Sequence, residues 1–245
     1  MKKEAKTLLG IIGGLGPMAT VYFYEMLTSH TRATCDKDHI DIVISSRATT
    51  PDRTAFVLGK SSENPLDVML SEAKKLEAYG ATLLSIPCNT AHYFYDSIAK
   101  SVNIPVINII HETVSYIKRT GAQKIGVLAT EGTIAGGGYE ETCKKEGLEY
   151  VIPSAAHQAK LMSIIYDEIK QGKPADMDAF LEIADSLRGL GCDKIVLGCT
   201  ELSLIKKEKG LDDLFVDSLE VLAAKTIKEC GKEAVGFSPS LIELI

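Results

Sequence analysis

The sequence has little of what marks nucleic-acid-binding or membrane-spanning proteins. No apolar stretch approaches the roughly 20 residues that a transmembrane helix needs. The 27 lysines and arginines are scattered along the 245 residues, and the formal net charge is −6. We therefore expect no nucleic-acid partner and no membrane partner, because both would require a basic face. A small anionic ligand stays possible, since one or two placed cations suffice to hold it.

The cysteine pattern argues against two further classes. The six cysteines form no C-x-x-C pair and no histidine stands at zinc-finger spacing, so we expect no structural metal. The basic start of the chain leads into an apolar segment that glycines interrupt at once. That pattern is typical of a first strand rather than of a signal peptide. We expect a cytoplasmic protein with free thiols.

Short apolar runs alternate with amphipathic segments through most of the chain. Strands are predicted at 8–13, 40–45, 82–86, 105–109, 124–129, 148–152, 194–198 and 214–217. Helical patterns lie near 17–33, 64–79, 91–101, 111–120, 136–146, 157–171, 175–190 and 219–231. Apolar strands separated by helices predict an α/β fold with parallel sheets covered on both faces.

The order of these signals repeats. The stretches "LGIIGGLGPMATVYFYEML" and "IGVLATEGTIAGGGYEETC" each read as a strand, a turn and a helix, and each half later reaches a cysteine turn, "IPCNTAH" or "LGCTEL". We predict two related lobes, 1–115 plus 218–245 and 116–217. Ligands of open α/β sheets bind beyond the carboxyl ends of the strands, so both turns are expected to face one cleft between the lobes.

The glycine-rich opening raises the possibility of a nucleotide site. Gly14, Gly16 and Ala19 match the loose fingerprint G-x-G-x-x-A. However, Pro17 removes one N–H donor that a pyrophosphate would use, and the second strand ends in serines and an arginine instead of an acidic residue. The sequence favours a tight strand–helix turn beside a cleft.

Four cations are candidate anion ligands. Arg53 follows a proline turn after the second strand, where its planar fork suits a carboxylate, and Arg47 is the nearby competitor. Lys160 and Lys170 lie on one helical pattern, where lysines usually serve the helix dipole and solvent.

Two threonines add a possible anion cradle. The stretch "ATEGTIAGGGYEE" places Thr130 and Thr133 before three glycines and a helix. Hydroxyls and free N–H groups at a helix start can hold an anion, while a threonine N-cap explains only one of these residues.

Cys88 and Cys199 differ from the other cysteines. Each stands in a turn with small polar groups after a predicted strand, where N–H groups can stabilise a thiolate. An acyl-transfer nucleophile would need an orienting histidine; His92 lies four residues after Cys88, but none is near Cys199. Two matching thiols favour 1,1-proton transfer, in which one removes a proton and the other returns one. We interpret the remaining cysteines as small buried hydrophobes: Cys35, Cys143, Cys192 and Cys230.

The chain resembles the cofactor-independent aspartate/glutamate racemase family through motifs in family order, among them "GIIGGLGPMAT", "PDRT", "PCNTAHYFYD", "IPVINII", "IYDEIKQG" and "GCTEL". The resemblance implies two flavodoxin-like lobes related by pseudosymmetry, no pyridoxal phosphate and no metal, and a homodimer. Cys88 and Cys199 would be the acid/base pair, and Arg53 and Lys170 would hold carboxylates. The remaining implied substrate-binding residues are Asn89, Thr90 and Thr200.

Two departures from the family pattern leave the side-chain preference open. "SSRATT" precedes the "PDRT" arginine, and His111 stands in "IIHETV" where an acidic residue is common. The leading hypothesis is racemisation of aspartate. The alternatives are racemisation of glutamate or of a broad set of acidic amino acids, a hydantoin racemase, maleate isomerase or arylmalonate decarboxylase on the same scaffold, and a small-anion or nucleotide-binding sensor.

Overall fold

The computed structural model describes residues 7–245. The strands in this part of the chain are β1 (Leu8–Gly13), β2 (Asp41–Ser46), β3 (Leu83–Ser85), β4 (Lys124–Leu128), β5 (Glu149–Val151), β6 (Lys194–Leu197) and β7 (Phe215–Asp217). The α-helices are α1 (Pro17–Ser29), α2 (Arg53–Val57), α3 (Leu66–Tyr79), α4 (Tyr95–Lys100), α5 (Ile109–Arg119), α6 (Glu131–Ala135), α7 (Gly138–Glu146), α8 (Ala155–Ser163), α9 (Met177–Gly189), α10 (Leu202–Lys209), α11 (Ser218–Glu229) and α12 (Pro239–Leu244).

The strands form two parallel sheets, which confirms the predicted α/β class. The first sheet has the order β2-β1-β3 and the second the order β5-β4-β6-β7. In both sheets the first strand along the chain lies between the second and the third. Cys88 follows β3 and Cys199 follows β6, so both thiols lie after the third strand of a sheet.

The strand predicted at 105–109 is wrong. Val106 makes only an isolated parallel bridge with Leu84, and α5 begins at Ile109. Pro105 has no N–H to donate to a ladder, and the Asn108 side chain already accepts from the first N–H groups of α5. The bridge lies where β7 lies in the second sheet, so the two halves correspond more closely than the strand assignment alone suggests.

The sequence pattern does not predict several short helices, namely α2, α6, α10 and α12. Most are too short to show a clear apolar period. Asp52 caps α2 and Thr130 caps α6 by accepting a backbone N–H three residues on. The helix predicted at 157–171 is also interrupted, because α8 gives way to a π-helical turn at 164–168 and a 3₁₀ turn at 169–171.

One core cluster joins the two sheets. It contains Leu9 and Ile11 of β1, Val127 of β4 and Val196 of β6, together with apolar faces of α5 and α11. The predicted boundary after 115 falls inside α5 and the one after 217 falls at the start of α11. Both boundaries stay a prediction. Within residues 7–245, no helix combines the length and apolar character needed to cross a bilayer.

Candidate active site

Both cysteine turns open onto the same polar cavity. The cavity lies beyond the carboxyl ends of β3 and β6, where ligands of open α/β sheets bind. It contains both predicted thiols and most of the predicted substrate-binding residues. Its lining is Leu15, Asp52, Arg53, Thr54, Cys88, Asn89, Thr90, Thr130, Tyr166, Lys170, Cys199, Thr200 and Glu201.

The Cys88 turn is held from behind by His92. Its Nδ1 lies 2.8 Å from the carbonyl oxygen of Cys88, and the Ile109 N–H donates to Nε2 at 3.1 Å. The proton therefore resides on Nδ1, and burial lowers the pKa of His92 to about 4. His92 is thus a neutral ring bound to backbone atoms, which does not fit the orienting base of an acyl-transfer nucleophile.

Arg53 brings positive charge to the Cys88 side of the cavity. Its Nη1 donates to the carbonyl oxygens of Pro51 at 3.1 Å and Thr50 at 3.3 Å, and its buried Nε has no hydrogen-bond partner in the protein. Although burial acts to lower it, the pKa of Arg53 is raised by the nearby Cys88 and Asp52. A free donor in a buried guanidinium suits an anionic ligand.

Cys199 has the opposite neighbour, a carboxylate. Its Sγ donates to Glu201 Oε2 at 3.0 Å, and Glu201 Oε1 pairs with Lys170 Nζ at 2.8 Å. Burial and the Glu201 charge raise the pKa of Cys199 well above its usual value. Burial opposes ionisation of Glu201 too, yet Lys170 and the Cys199 thiol lower the pKa of Glu201 overall. A cation therefore faces one thiol and an anion faces the other.

The glycine-rich opening turn packs against these groups. Gly14 has a φ of +81° and a Cβ there would lie 2.5 Å from the Arg47 backbone nitrogen, which excludes other residues. A Cβ at Gly16 would lie 2.7 Å from Glu201 Oε1. Close packing thus explains both glycines without a bound phosphate.

The threonines form a hydroxyl cluster across the cleft. Thr90 lies 3.1 Å from Thr130 and 2.8 Å from Thr133, measured between hydroxyl oxygens, and Thr54 donates to Thr130 at 3.2 Å. Thr90, Thr130 and Thr54 line the cavity of the two thiols, whereas Thr133 lines the neighbouring cavity. Thr133 therefore contacts the cluster from behind.

Asn89 and Thr200 follow the two cysteines directly. The Asn89 amide donates to Ser218 Oγ at 2.9 Å and accepts from Tyr139 Oη at 2.8 Å, so it ties the Cys88 turn to α11 and α7. Thr200 is buried at the cavity wall.

Comparison with known proteins fits this geometry. The family model for Asp/Glu/hydantoin racemases matches residues 12–226. The chain belongs to this racemase family. The solved structure of a Picrophilus torridus aspartate racemase, 30% identical, aligns with a TM-score of 0.84 over 98% of this chain and 100% of its own.

Two curated relatives extend the comparison. The broad specificity amino-acid racemase RacX of Bacillus subtilis is 27% identical over 233 residues, which cover 90% of this chain and 96% of RacX. A glutamate racemase of Lysinibacillus sphaericus is 27% identical over 197 residues, covering 73% of this chain and 72% of that enzyme.

Three residues whose roles the sequence left open lie outside the cavity that contains the two thiols. Arg47 is half exposed and pairs with Glu72 at 3.7 Å, Lys160 pairs with Glu182 at 2.7 Å, and His111 is exposed on α5. Cys35 is exposed, so its interpretation as a buried hydrophobe is wrong; its thiol faces Asp38.

The sequence analysis missed Tyr166 and Asp52 as cavity residues. Tyr166 Oη donates to Asp52 Oδ2 at 3.4 Å, and burial raises the pKa of Tyr166 to about 12. Tyr166 stands four residues before Lys170, a spacing that places two side chains on one helical face. That spacing was the available signal.

Proposed function

We propose that this protein racemises aspartate without a cofactor, by proton transfer between two cysteines. The observation that carries the proposal is that Cys88 and Cys199 line one small cavity. Two thiols that reach the same small molecule can act on opposite faces of one carbon. A free thiol has a pKa of about 8.5, so a thiolate can form near neutral pH, and the raised pKa of Cys199 favours its thiol form.

In the proposed reaction, the Cys88 thiolate removes the α-hydrogen and the Cys199 thiol donates a proton to the opposite face. The carbon–hydrogen bond breaks as a sulfur–hydrogen bond forms on Cys88, and Cys199 becomes the thiolate. The opposite enantiomer uses the same steps in reverse. Arg53 and Lys170 would stabilise the negative charge that develops on the substrate carboxylate.

Aspartate fits the charges of the cavity. Arg53 and Lys170 line the cavity from its two sides, and aspartate carries two carboxylates. The Picrophilus torridus relative, named as an aspartate racemase, matches over its whole length.

The alternatives keep the same chemistry with other side chains. Glutamate is supported by the Lysinibacillus sphaericus relative, and a broader range of amino acids by RacX. A homodimer and a cytoplasmic location are further proposals. Sedimentation of the purified protein would test the homodimer, and fractionation of cells of the natural host would test the location.

Incubation with L-aspartate or L-glutamate in heavy water, without added cofactor, tests the function. Loss of circular dichroism together with deuterium at the α-carbon is the expected result. Cys88→Ser and Cys199→Ser should each abolish the loss of circular dichroism, whereas Cys35→Ser, on an exposed residue outside the cavity, should leave the rate unchanged. Binding without exchange would indicate the sensor alternative, and covalent trapping at one cysteine would indicate a nucleophilic enzyme.

A further inference from the structure

Glu201 connects three parts of the site. Its two carboxylate oxygens have different partners, because Oε2 accepts from Cys199 and Oε1 pairs with Lys170. The residue is 7% exposed, and the backbone of Gly16 from the other lobe leaves just enough room for Oε1. The carboxylate therefore has one defined position, in contact with a reacting sulfur and with a cation of the cavity.

We propose that Glu201 is the positioning residue of Cys199: it accepts the thiol proton when a substrate carboxylate takes Lys170 away from it. This inference rests on the proposed function and deepens it, since it states how the anion-facing thiol becomes a base. Other charged or titratable groups near this triad are Arg53 across the cleft and Tyr166 beside Lys170.

Lys170 has a single ammonium group, so two anions compete for it. In the free protein Glu201 holds it at 2.8 Å. When a substrate carboxylate binds Lys170, Glu201 loses the partner that keeps it ionised while it stays buried. A buried carboxylate without a compensating charge gains a proton, and the nearest one belongs to the Cys199 thiol, 3.0 Å away.

The protons balance over one turnover of the enantiomer on which Cys199 acts, which starts with both cysteines as thiols and with Glu201 ionised. The S–H bond of Cys199 breaks and an O–H bond forms on Glu201, which leaves a thiolate that removes the α-hydrogen. The Cys88 thiol donates its proton to the opposite face and becomes the thiolate. Cys199 then holds the former α-hydrogen, and the Glu201 proton returns to Cys88 through solvent. The reverse direction begins from the product state and follows the same steps backwards.

Infrared difference spectroscopy reads the proton on Glu201 without any turnover. Succinate has the two carboxylates of aspartate and no α-amino group, so it serves as an unreactive probe. Calorimetry verifies that it binds. We expect succinate to induce the carbonyl stretch of a protonated carboxylic acid. The band should be absent in Glu201→Gln and present in Glu208→Gln, a control on an exposed residue of α10. Bound succinate without this band in the wild-type protein would overturn the proposal.

Hydrogen exchange of the two enantiomers supplies the functional readout. The enantiomer that no longer exchanges its α-hydrogen in Cys88→Ser is the one on which Cys88 acts, here called the Cys88 enantiomer. Cys199→Ser identifies the Cys199 enantiomer in the same way. Glu201→Gln should slow exchange of the Cys199 enantiomer by about 100-fold, the size of one acid–base contribution. Glutamine has no carboxylate to accept the Cys199 proton, so this variant lacks the step that forms the thiolate. Exchange of the Cys88 enantiomer should change only a few-fold.

Gly16→Ala gives a second variant that keeps the charge. Its methyl group would lie 2.7 Å from Glu201 Oε1 and should displace the end of this side chain, so the same enantiomer is slowed to a smaller extent. Equal slowing of both enantiomers in Glu201→Gln would mean a merely structural role and would overturn the proposal. A wild-type protein that exchanges neither enantiomer contradicts the proposed function, and the infrared experiment then still decides the role of Glu201.

Discussion

Replacing His92 with asparagine tests how the Cys88 turn is held. The buried ring of His92 binds the carbonyl oxygen of Cys88 at 2.8 Å and accepts from the Ile109 N–H at 3.1 Å. Asparagine keeps a donor for the carbonyl oxygen but removes the titratable ring and the acceptor for Ile109. The change therefore separates a pH-dependent contribution to stability from a constant one.

The magnitude follows from the protonation of the ring. Burial lowers the pKa of His92 from 6.5 to about 4, which corresponds to about 3 kcal/mol of unfolding free energy. Between pH 6.5 and about 4, His92 binds a proton in the unfolded chain but not in the folded chain. This stabilisation is therefore fully present above pH 6.5 and is lost as the pH falls to about 4.

Urea unfolding of both proteins at neutral pH and at about pH 4 measures the difference. The wild-type protein should lose about 3 kcal/mol more than His92→Asn over this interval. At neutral pH the variant should be less stable by about 1–3 kcal/mol, because the Ile109 N–H is left without an acceptor. Unfolding free energies that fall in parallel with pH would refute the assignment of a neutral, buried ring.

Two further substitutions probe the lobe contact and a buried acid. A Cβ at Gly132 would lie 2.6 Å from Thr54 Cα, so Gly132→Ala should lower the racemisation rate roughly tenfold or more. Gly189→Ala, at a helix end with open space, is the control and should leave the rate unchanged. Equal effects of the two substitutions on the rate would contradict the reasoning. Burial raises the pKa of Asp217 to about 7, so its ionisation destabilises the fold as pH rises. Asp217→Asn can keep the hydrogen bond from the Leu219 N–H and should raise the melting temperature by roughly 5 °C more at pH 8 than at pH 5; a difference independent of pH would be evidence against a protonated Asp217.

The sequence predicted the parts of this fold that depend on local patterns. The apolar runs of β1, β4 and β6 are continuous and long enough to recognise, and all three are buried strands. The segment after Pro105 has the same apolar character but pairs only at Val106. Its outcome depends on the missing proline N–H and on the cap at Asn108, which an apolar pattern does not weigh.

The site was predictable where one turn carries the signal and not where distant segments meet. Cys88 and Cys199 could be chosen because each stands in a polar turn after a strand. The contact between Gly16 and Glu201 joins residues from opposite ends of the chain, and no spacing of nearby residues in the sequence predicts it. For the same reason the pairing of Lys170 with Glu201, which distinguishes Lys170 from Lys160, became visible only in three dimensions.

The two lobes share a topology but differ in charge, and the difference has a chemical consequence. The proposed proton transfer across one carbon requires one thiolate and one thiol at the same time. If both sulfurs had identical surroundings, their titrations would be coupled and neither singly protonated form would be favoured over the other. Arg53 beside Cys88 and Glu201 beside Cys199 remove that degeneracy. In the proposed mechanism, the repeated fold brings two sulfurs to one cavity, and the residues that differ between the repeats decide which sulfur carries the proton.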